Sequence, residues 1–398
     1  MLKDVGSQDA ARTASFRLAR AGFVGTAIAF GPARMGFGLF LPAFRDDFAL
    51  SPFHAGLIAG GGFSAFLAAL LVAAWLCIRS GPRMAVLAGA LSALSGFTLV
   101  ALAGGPGLLA VGIALAGASA GLCWSPFNDA AGRVVPPAAR SQTLSVIATG
   151  TTFGVAAAGG LALGVFWGLA DWRLAWALFA LAGLLAIFTA VTGLPAGRCQ
   201  APRMPLSPAM FRGAGVCPLY ASAFVFGLAN AAYLSFAADS VVSAGGLAGL
   251  PDKAAPSVIF ISYGAFGLAG LATARIEARL GTRAVLAGVF CAFAVSLGLV
   301  AATPGSWPGI VLSAGLHGAA VMVISALLSV WSLRLFPEAG AIGMTAALVM
   351  LAIGSVLGAL LAGSLIDLAG RRLAFLLLAA PPAIAALLAA SSGLRRAG

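Results

Sequence analysis

Arg34 is the residue whose position most needs a chemical reason, because it falls inside an apolar run from about residue 20 to 42. A charge that deep in a hydrocarbon-spanning segment costs on the order of several kcal/mol unless it meets a cavity or a partner. A guanidinium presents a planar fork that matches a carboxylate, so one reading is a fixed cation that holds an anionic group. The other reading is a structural arginine, closed by an internal acid or by backbone carbonyls.

Other polar residues interrupt apolar runs in the same way. Trp124-Ser-Pro126-Phe-Asn128-Asp129 is a polar end to an apolar run, and Pro126 removes a donor that a helical ladder needs. Trp124 and Asn128 are candidate substrate contacts. Asp129 and Arg133, four apart, share a helix face and can pair. A proton-carrying acid, an inside gate and a plain helix-end ion pair all fit them. Asn230 and Tyr233, three apart on one face, can hydrogen-bond a substrate, and Asp239 lies further along the same run as an exit-side residue or a helix end. His317 sits mid-run and can titrate near neutrality, or serve as a hydrogen-bonded packing residue. His54, the second of 2 histidines, falls at the end of a run and is expected to be solvated.

Enzyme chemistry finds little support. Gly117-Ala-Ser119-Ala-Gly121 matches the Gly-x-Ser-x-Gly string, but that nucleophile needs a strand-to-helix elbow and a His–acid pair. Here it lies within a continuous apolar helix of small residues. No phosphate loop or dinucleotide fingerprint occurs, so direct ATP drive and a bound cofactor are not expected. The 5 cysteines (Cys77, Cys123, Cys199, Cys217 and Cys291) show no metal-ligand spacing, so neither zinc nor a disulfide is expected.

The elements that must position these side chains are membrane spans. Of 398 residues, 61% are hydrophobic and 9% charged, against about 25% charged in a soluble domain. So few charges cannot clothe a hydrated surface, and lipid must cover most of the chain. Apolar runs long enough to cross a bilayer lie near 20–42, 53–77, 84–103, 108–130, 141–168 and 172–194. A second set lies near 215–243, 255–276, 284–303, 308–333, 341–366 and 372–392. The expected fold class is therefore an all-α membrane protein with about twelve transmembrane helices. Barrel strands would be about 10 residues long and alternate polar with apolar, which these runs do not.

The net charge of +12 reports topology rather than nucleic acid, because the basic residues are scattered between spans instead of gathered on one surface. With the N-terminus inside, 17 of the 23 Lys and Arg fall on the cytoplasmic side. The 5 on the outer side are Arg45, Arg173, Lys253, Arg371 and Arg372. The outer side also takes Asp46, Asp47, Asp171, Asp239, Asp252 and Asp367. Both termini are thus expected inside a plasma membrane, and the stretch through Arg20 shows no cleavable signal pattern.

The segment 195–214 carries four prolines and three arginines at the midpoint, which marks a cytoplasmic linker between residues 1–194 and 215–398. Matches about 200 residues apart support a duplication. Gly81-Pro-Arg83 and Gly281-Thr-Arg283 both lead into AVLAG. Arg133-Val-Val-Pro136 matches Arg334-Leu-Phe-Pro337, and Gly150/Gly154 match Gly354/Gly358. Two parallel six-helix pseudo-repeats with a substrate site between them are a transporter plan.

Six plus six spans with a basic turn after spans two and eight resemble the major facilitator superfamily. Its loop signature, Gly-x-Leu-Ala-Asp-Arg-x-Gly-Arg-Arg, is echoed by Ala74-Trp-Leu-Cys-Ile78-Arg79-Ser-Gly81-Pro-Arg83, with Ile78 at the Asp position. The second copy keeps Arg279, Gly281 and Arg283 and has Ala278 there. Gly363-Ser-Leu-Ile-Asp367-Leu-Ala-Gly370-Arg371-Arg372 matches the string better, but after span eleven on the outer side, echoing the Asp171-Trp-Arg173 corner. Gly31-Pro-Ala-Arg34 with Pro42 is similar to an uncharacterised bacterial branch of the superfamily.

The resemblance implies that spans one, four, seven and ten line a cavity and that two, five, eight and eleven form a moving seam. Arg34, Trp124, Asn128, Asn230, Tyr233 and His317 fall on the first set. Glycines at small-xxx-small spacing (Gly56/Gly60, Gly150/Gly154, Gly160/Gly164, Gly264/Gly267/Gly270, Gly354/Gly358) fall on the second. The expectation is a monomeric alternating-access transporter of small molecules, leaning to organic anions because of Arg34. Protons are a coupling candidate through Asp129, Asp239 and His317. Export of lipophilic drugs is the rival within transport, although Val155 follows Gly154 where the antiporter signature has proline. A non-transporting membrane sensor or binding protein is the rival of another class.

Overall fold

The computed structural model of this chain describes residues 2–169, 171–197, 216–251, 254–336 and 340–391. Residues 198–214 of the expected linker, Cys199, Asp252, Lys253 and Pro337 lie outside the described residues.

The described elements are helices. In chain order they are α1 Leu2–Phe30, α2 Pro32–Phe48, α3 Pro52–Ser80, α4 Pro82–Ala101, α5 Pro106–Gly121, α6 Trp124–Val134 and α7 Pro137–Gly164. Then come α8 Trp172–Gly193, α9 Val216–Ser243, α10 Ala255–Gly267, α11 Thr273–Ala302, α12 Trp307–Leu335 and α13 Gly340–Ser391. Proline is the first residue of α2, α3, α4, α5 and α7, where its missing N–H leaves no intrahelical bond unmade. Ser306 caps α12, its hydroxyl accepting from the Gly309 N–H at 3.3 Å.

Two short interruptions sit beside candidate site residues. Gly31 alone separates α1 from α2, which Pro32 opens just before Arg34, although Met35 N still reaches Gly31 O at 2.9 Å and the span Arg12–Phe48 runs on. Leu122 and Cys123 separate α5 from α6. Pro126 explains the second break, because it has no N–H to offer the carbonyl of Leu122 four residues earlier.

Among the described residues, ten helices are long and apolar enough to cross a membrane, where the sequence leads one to expect twelve runs. The difference lies in Ala255–Ala302, 48 residues long, and Gly343–Ser391, 49 residues long. At ~1.5 Å per residue a straight helix of that length would reach about 70 Å, well over twice a hydrocarbon core of ~30 Å. Neither is regular throughout. Gly281 (φ 81°) breaks the first and Gly370 (φ 80°) the second, a backbone conformation that glycine adopts without the clash a Cβ would bring.

The chain packs as two compact units: Met1–Phe37 with Gly61–Ala201, and Gly38–Gly60 with Pro202–Gly398. In the first, α1 packs on α7 and α8, and α4 on α5 and α8. A Cβ on Gly150 or Gly154 would collide with the backbone of Phe23 or Ala27, so α1 and α7 touch main chain to main chain. Thr26, fully buried there, donates to Ile147 O at 2.6 Å. In the second unit α9 packs on α13 in the same manner, Gly354 against Phe224 and Gly358 against Leu228. Gly160, by contrast, faces open space. The far side of α8 exposes Leu181, Leu184, Leu185 and Phe188. An apolar face of that kind has lipid as its solvent.

Candidate functional site

Three clusters hold the side chains that the sequence singles out. The first, in the first unit, surrounds Arg34. Its guanidinium carbon lies 4.6 Å from the ring centre of Phe66, 5.6 Å from that of Phe63 and 5.8 Å from that of Phe30. Three rings at these distances stabilise a cation through their negative faces. Phe63 and Phe66 are buried behind it, whereas Phe30, Arg34 and Trp124 are only half-buried. Phe30 meets Trp124 edge-on, ring centres 5.7 Å apart at 77°.

Phe30 and Arg34 are one turn apart, as are Trp124 and Asn128. Two helical stripes therefore meet in one wall, with Asn128 exposed at its end. Phe127 anchors that wall: it is buried against Gly25, where a Cβ would press on its ring at 3.0 Å. Asp129 lies half-buried on α6. Arg133 reaches away from the wall, donating to Gly197 O at 2.9 Å and to Ala196 O at 3.5 Å.

The second cluster lies deep in the second unit. The Tyr233 ring stacks on the His317 imidazole with centres 3.9 Å apart at 17°, and Phe293 meets the same imidazole at 4.8 Å. Ser313 Oγ donates to Ser296 O at 2.7 Å, which commits its only proton. The Tyr233 phenol must therefore be the donor in its 3.1 Å bond to Ser313 Oγ. Ser296 Oγ sits 2.9 Å from Phe293 O and 2.7 Å from His317 Nδ1. When Ser296 donates to the carbonyl, Nδ1–H donates to Ser296, and the ring carries its free lone pair at Nε2. That Nε2 has no hydrogen-bond partner among the described residues. Tyr263 donates to Asn230 Oδ1 at 3.3 Å. All of these residues are buried, His317 fully.

The third cluster centres on Asp239, whose side chain is 3% exposed. Arg45 Nη1 reaches its two oxygens at 2.9 and 2.7 Å, and Arg371 Nη2 reaches Oδ2 at 3.0 Å. Arg45 Nε also donates to Leu50 O at 3.0 Å, and Phe53 N–H donates to Asp367 Oδ2 at 2.8 Å. A Cβ on Gly38 or Gly56 would strike the backbone of Leu234 or of Ala359, so segment 38–60 lies directly on α9 and α13. Removing one partner from a buried ion pair costs about 3–5 kcal/mol, because a charge is left uncompensated.

Several of these partners escape a reading of the sequence. Arg45 and Arg371 count there only as outer-loop charges, and the signal that points to Arg371 is the Asp367–Arg372 echo string. The rings around Arg34 carry no mark in a chain with 26 phenylalanines. The acid absent at Ala278 has a neighbour: Glu277 accepts from Arg334 at 2.6 Å and from Thr282 at 2.6 Å. Ser119, the serine of the hydrolase-like string, is buried in α5 and donates to Ala116 O at 2.7 Å. His54 is exposed, with Ser51 Oγ 2.9 Å from its Nδ1.

Residues 23–238 match the family model of the Major Facilitator Superfamily. No curated protein sequence matches the chain. Among solved structures, a mutant of the peptide transporter POT is similar in fold at TM-score 0.74 and 16% identity, covering 94% of this chain and 93% of that one. A mutant of the nucleoside transporter NupG is similar at TM-score 0.74 and 13% identity, covering 95% of this chain and 99% of that one.

Proposed function

This chain belongs to the major facilitator superfamily, and from that membership we propose that it is a secondary active transporter of small organic anions working by alternating access. Membership makes it a multi-pass membrane transporter rather than an enzyme. The observation that carries the anion reading is Arg34. A guanidinium inside a membrane span, set among three rings and only half-buried, is a cation held in place at a face a solute can reach.

On this reading the long stretches Ala255–Ala302 and Gly343–Ser391 each count as two spans, giving twelve in two parallel halves, 1–194 and 215–398, joined by 195–214. Paired breaks support that count. Gly81 (φ 93°) and Gly281 (φ 81°) are 200 residues apart, and Gly168 (φ 84°) and Gly370 (φ 80°) are 202 apart. The excess of Lys and Arg on one side supports cytoplasmic termini in a plasma membrane. The transporter is proposed to act as a monomer.

Arg34, Trp124 and Asn128 are the proposed substrate contacts of the first half. Asn230, Tyr233 and His317 are those of the second, with His317 Nε2, buried and without a hydrogen-bond partner among the described residues, as the atom that a substrate donor would meet once the cluster is reached. Asp239 is proposed as a gate held by Arg45 and Arg371, which must part and re-form in each cycle. Asp129 and His317 are the proposed proton carriers, and Arg133 is proposed as an inside clamp.

The test is uptake of radiolabelled small carboxylates, neutral solutes and lipophilic cations into proteoliposomes, with wild type beside Arg34→Gln. A carboxylate carried by the wild type and not by a correctly inserted Arg34→Gln supports the reading. Equal transport of a cation by both proteins overturns it and leaves Arg34 a structural residue.

A further inference from the structure

The walls around Arg34 say more than its charge does. We propose that the solute it binds carries an aromatic ring beside its carboxylate, because the surface flanking the guanidinium is built from aromatic rings on two different helices. The inference rests on the anion reading and narrows it.

Phe63 and Phe66 lie buried behind the cation and fix it in place. Phe30 stands beside it half-buried, its ring centre 5.8 Å from the guanidinium carbon, and half-buried Trp124 meets Phe30 edge-on at 5.7 Å. A carboxylate seated on Arg34 can lay its substituent against Phe30 and, beyond it, against Trp124. A planar ring there can stack or meet an edge at centroid spacings of about 4.5–7 Å, and can also lie on the guanidinium plane. A saturated ring of similar area gains burial and little else. The edge-to-face pair has a second consequence: Trp124 is held by Phe30, so the wall is formed before the solute arrives and needs little ordering on binding.

The experiment compares benzoate with cyclohexanecarboxylate, two acids of similar size and equal charge, by calorimetric titration of the purified full-length protein. Wild type is expected to bind benzoate roughly tenfold more tightly, the worth of one or two aromatic contacts. Phe30→Leu and Trp124→Leu keep an apolar wall without the ring. Each is expected to bring the ratio to within about twofold while cyclohexanecarboxylate still binds. If wild type binds the two acids equally, or if both variants keep the preference, the aromatic inference is overturned and the anion reading stands. If neither acid binds folded wild type, the aromatic inference is overturned, and the anion reading is decided separately by the carboxylate uptake panel. Testing both variants guards against one of them failing to fold.

Discussion

The Arg34 wall and the His317 core place comparable polar equipment in opposite settings. Around Arg34 the charge is half-buried, its neighbours are ring faces, and Asn128 stands exposed at the end of the wall. Around His317 every member is buried, and most hydrogen-bonding capacity is spent inside the cluster: Tyr233 on Ser313, Ser313 on Ser296, Tyr263 on Asn230. The first arrangement leaves a charge partly exposed beside aromatic rings. The second is tied together by these bonds and leaves His317 Nε2 without a hydrogen-bond partner among the described residues. Polar residues in spans are thus not of one kind: one set is partly exposed, and the other is buried and bonded within itself.

The sharpest way to break this contrast is through stability. Tyr233→Ala removes a fully buried ring, and a loss of about 3–5 kcal/mol is expected, read as a fall in unfolding free energy in detergent. Trp124→Ala, at a half-buried wall, should lose less than half as much. Equal losses would erase the distinction.

Arg34→Gln should reverse the pattern. Carboxylate binding is expected to weaken roughly 100-fold, the loss of about two charge-assisted hydrogen bonds, with the melting temperature nearly unchanged. A large drop in melting temperature with unaltered binding would move Arg34 into the structural class. His317→Phe keeps the stacked ring and removes both nitrogens. Uptake is expected to fall roughly tenfold, the value of one hydrogen bond, while stability stays within about 1 kcal/mol. Unaltered uptake would make the imidazole a packing residue. The smallest effect is expected at Asn128→Ala. Stability should shift by no more than about 0.5 kcal/mol, as at other exposed sites, and titration should show a fewfold loss of carboxylate affinity.

Much of this was legible in the sequence, and the residues show why. Apolar runs and small-xxx-small glycines report burial in lipid and close backbone packing, both local properties. Hence Gly150, Gly154, Gly354 and Gly358 mark α7 and α13 as helices that pack backbone to backbone, while their partners α1 and α9 are not written in that pattern. Arg34 was legible because a charge in a span is a violation that needs a cause. What surrounds it was not, since Phe63 and Phe66 sit about thirty residues on and differ in no local way from other span phenylalanines. The hold of Arg45 and Arg371 on Asp239 spans 194 and 132 residues of sequence, and no periodicity reports a contact at that separation. Pro126 lies between: its missing donor foretells a break, and the break falls at Leu122 and Cys123.

Two arginines on one carboxylate have a genetic consequence. Arg371 can be lost while Arg45 still neutralises both oxygens of Asp239. Loss of Arg45 leaves a single contact from Arg371. Loss of Asp239 strands two cations at once. In a saturation screen for function, position 371 should therefore tolerate many substitutions, position 45 fewer and position 239 almost none, while changes at 45 and 371 that pass singly should fail as a pair.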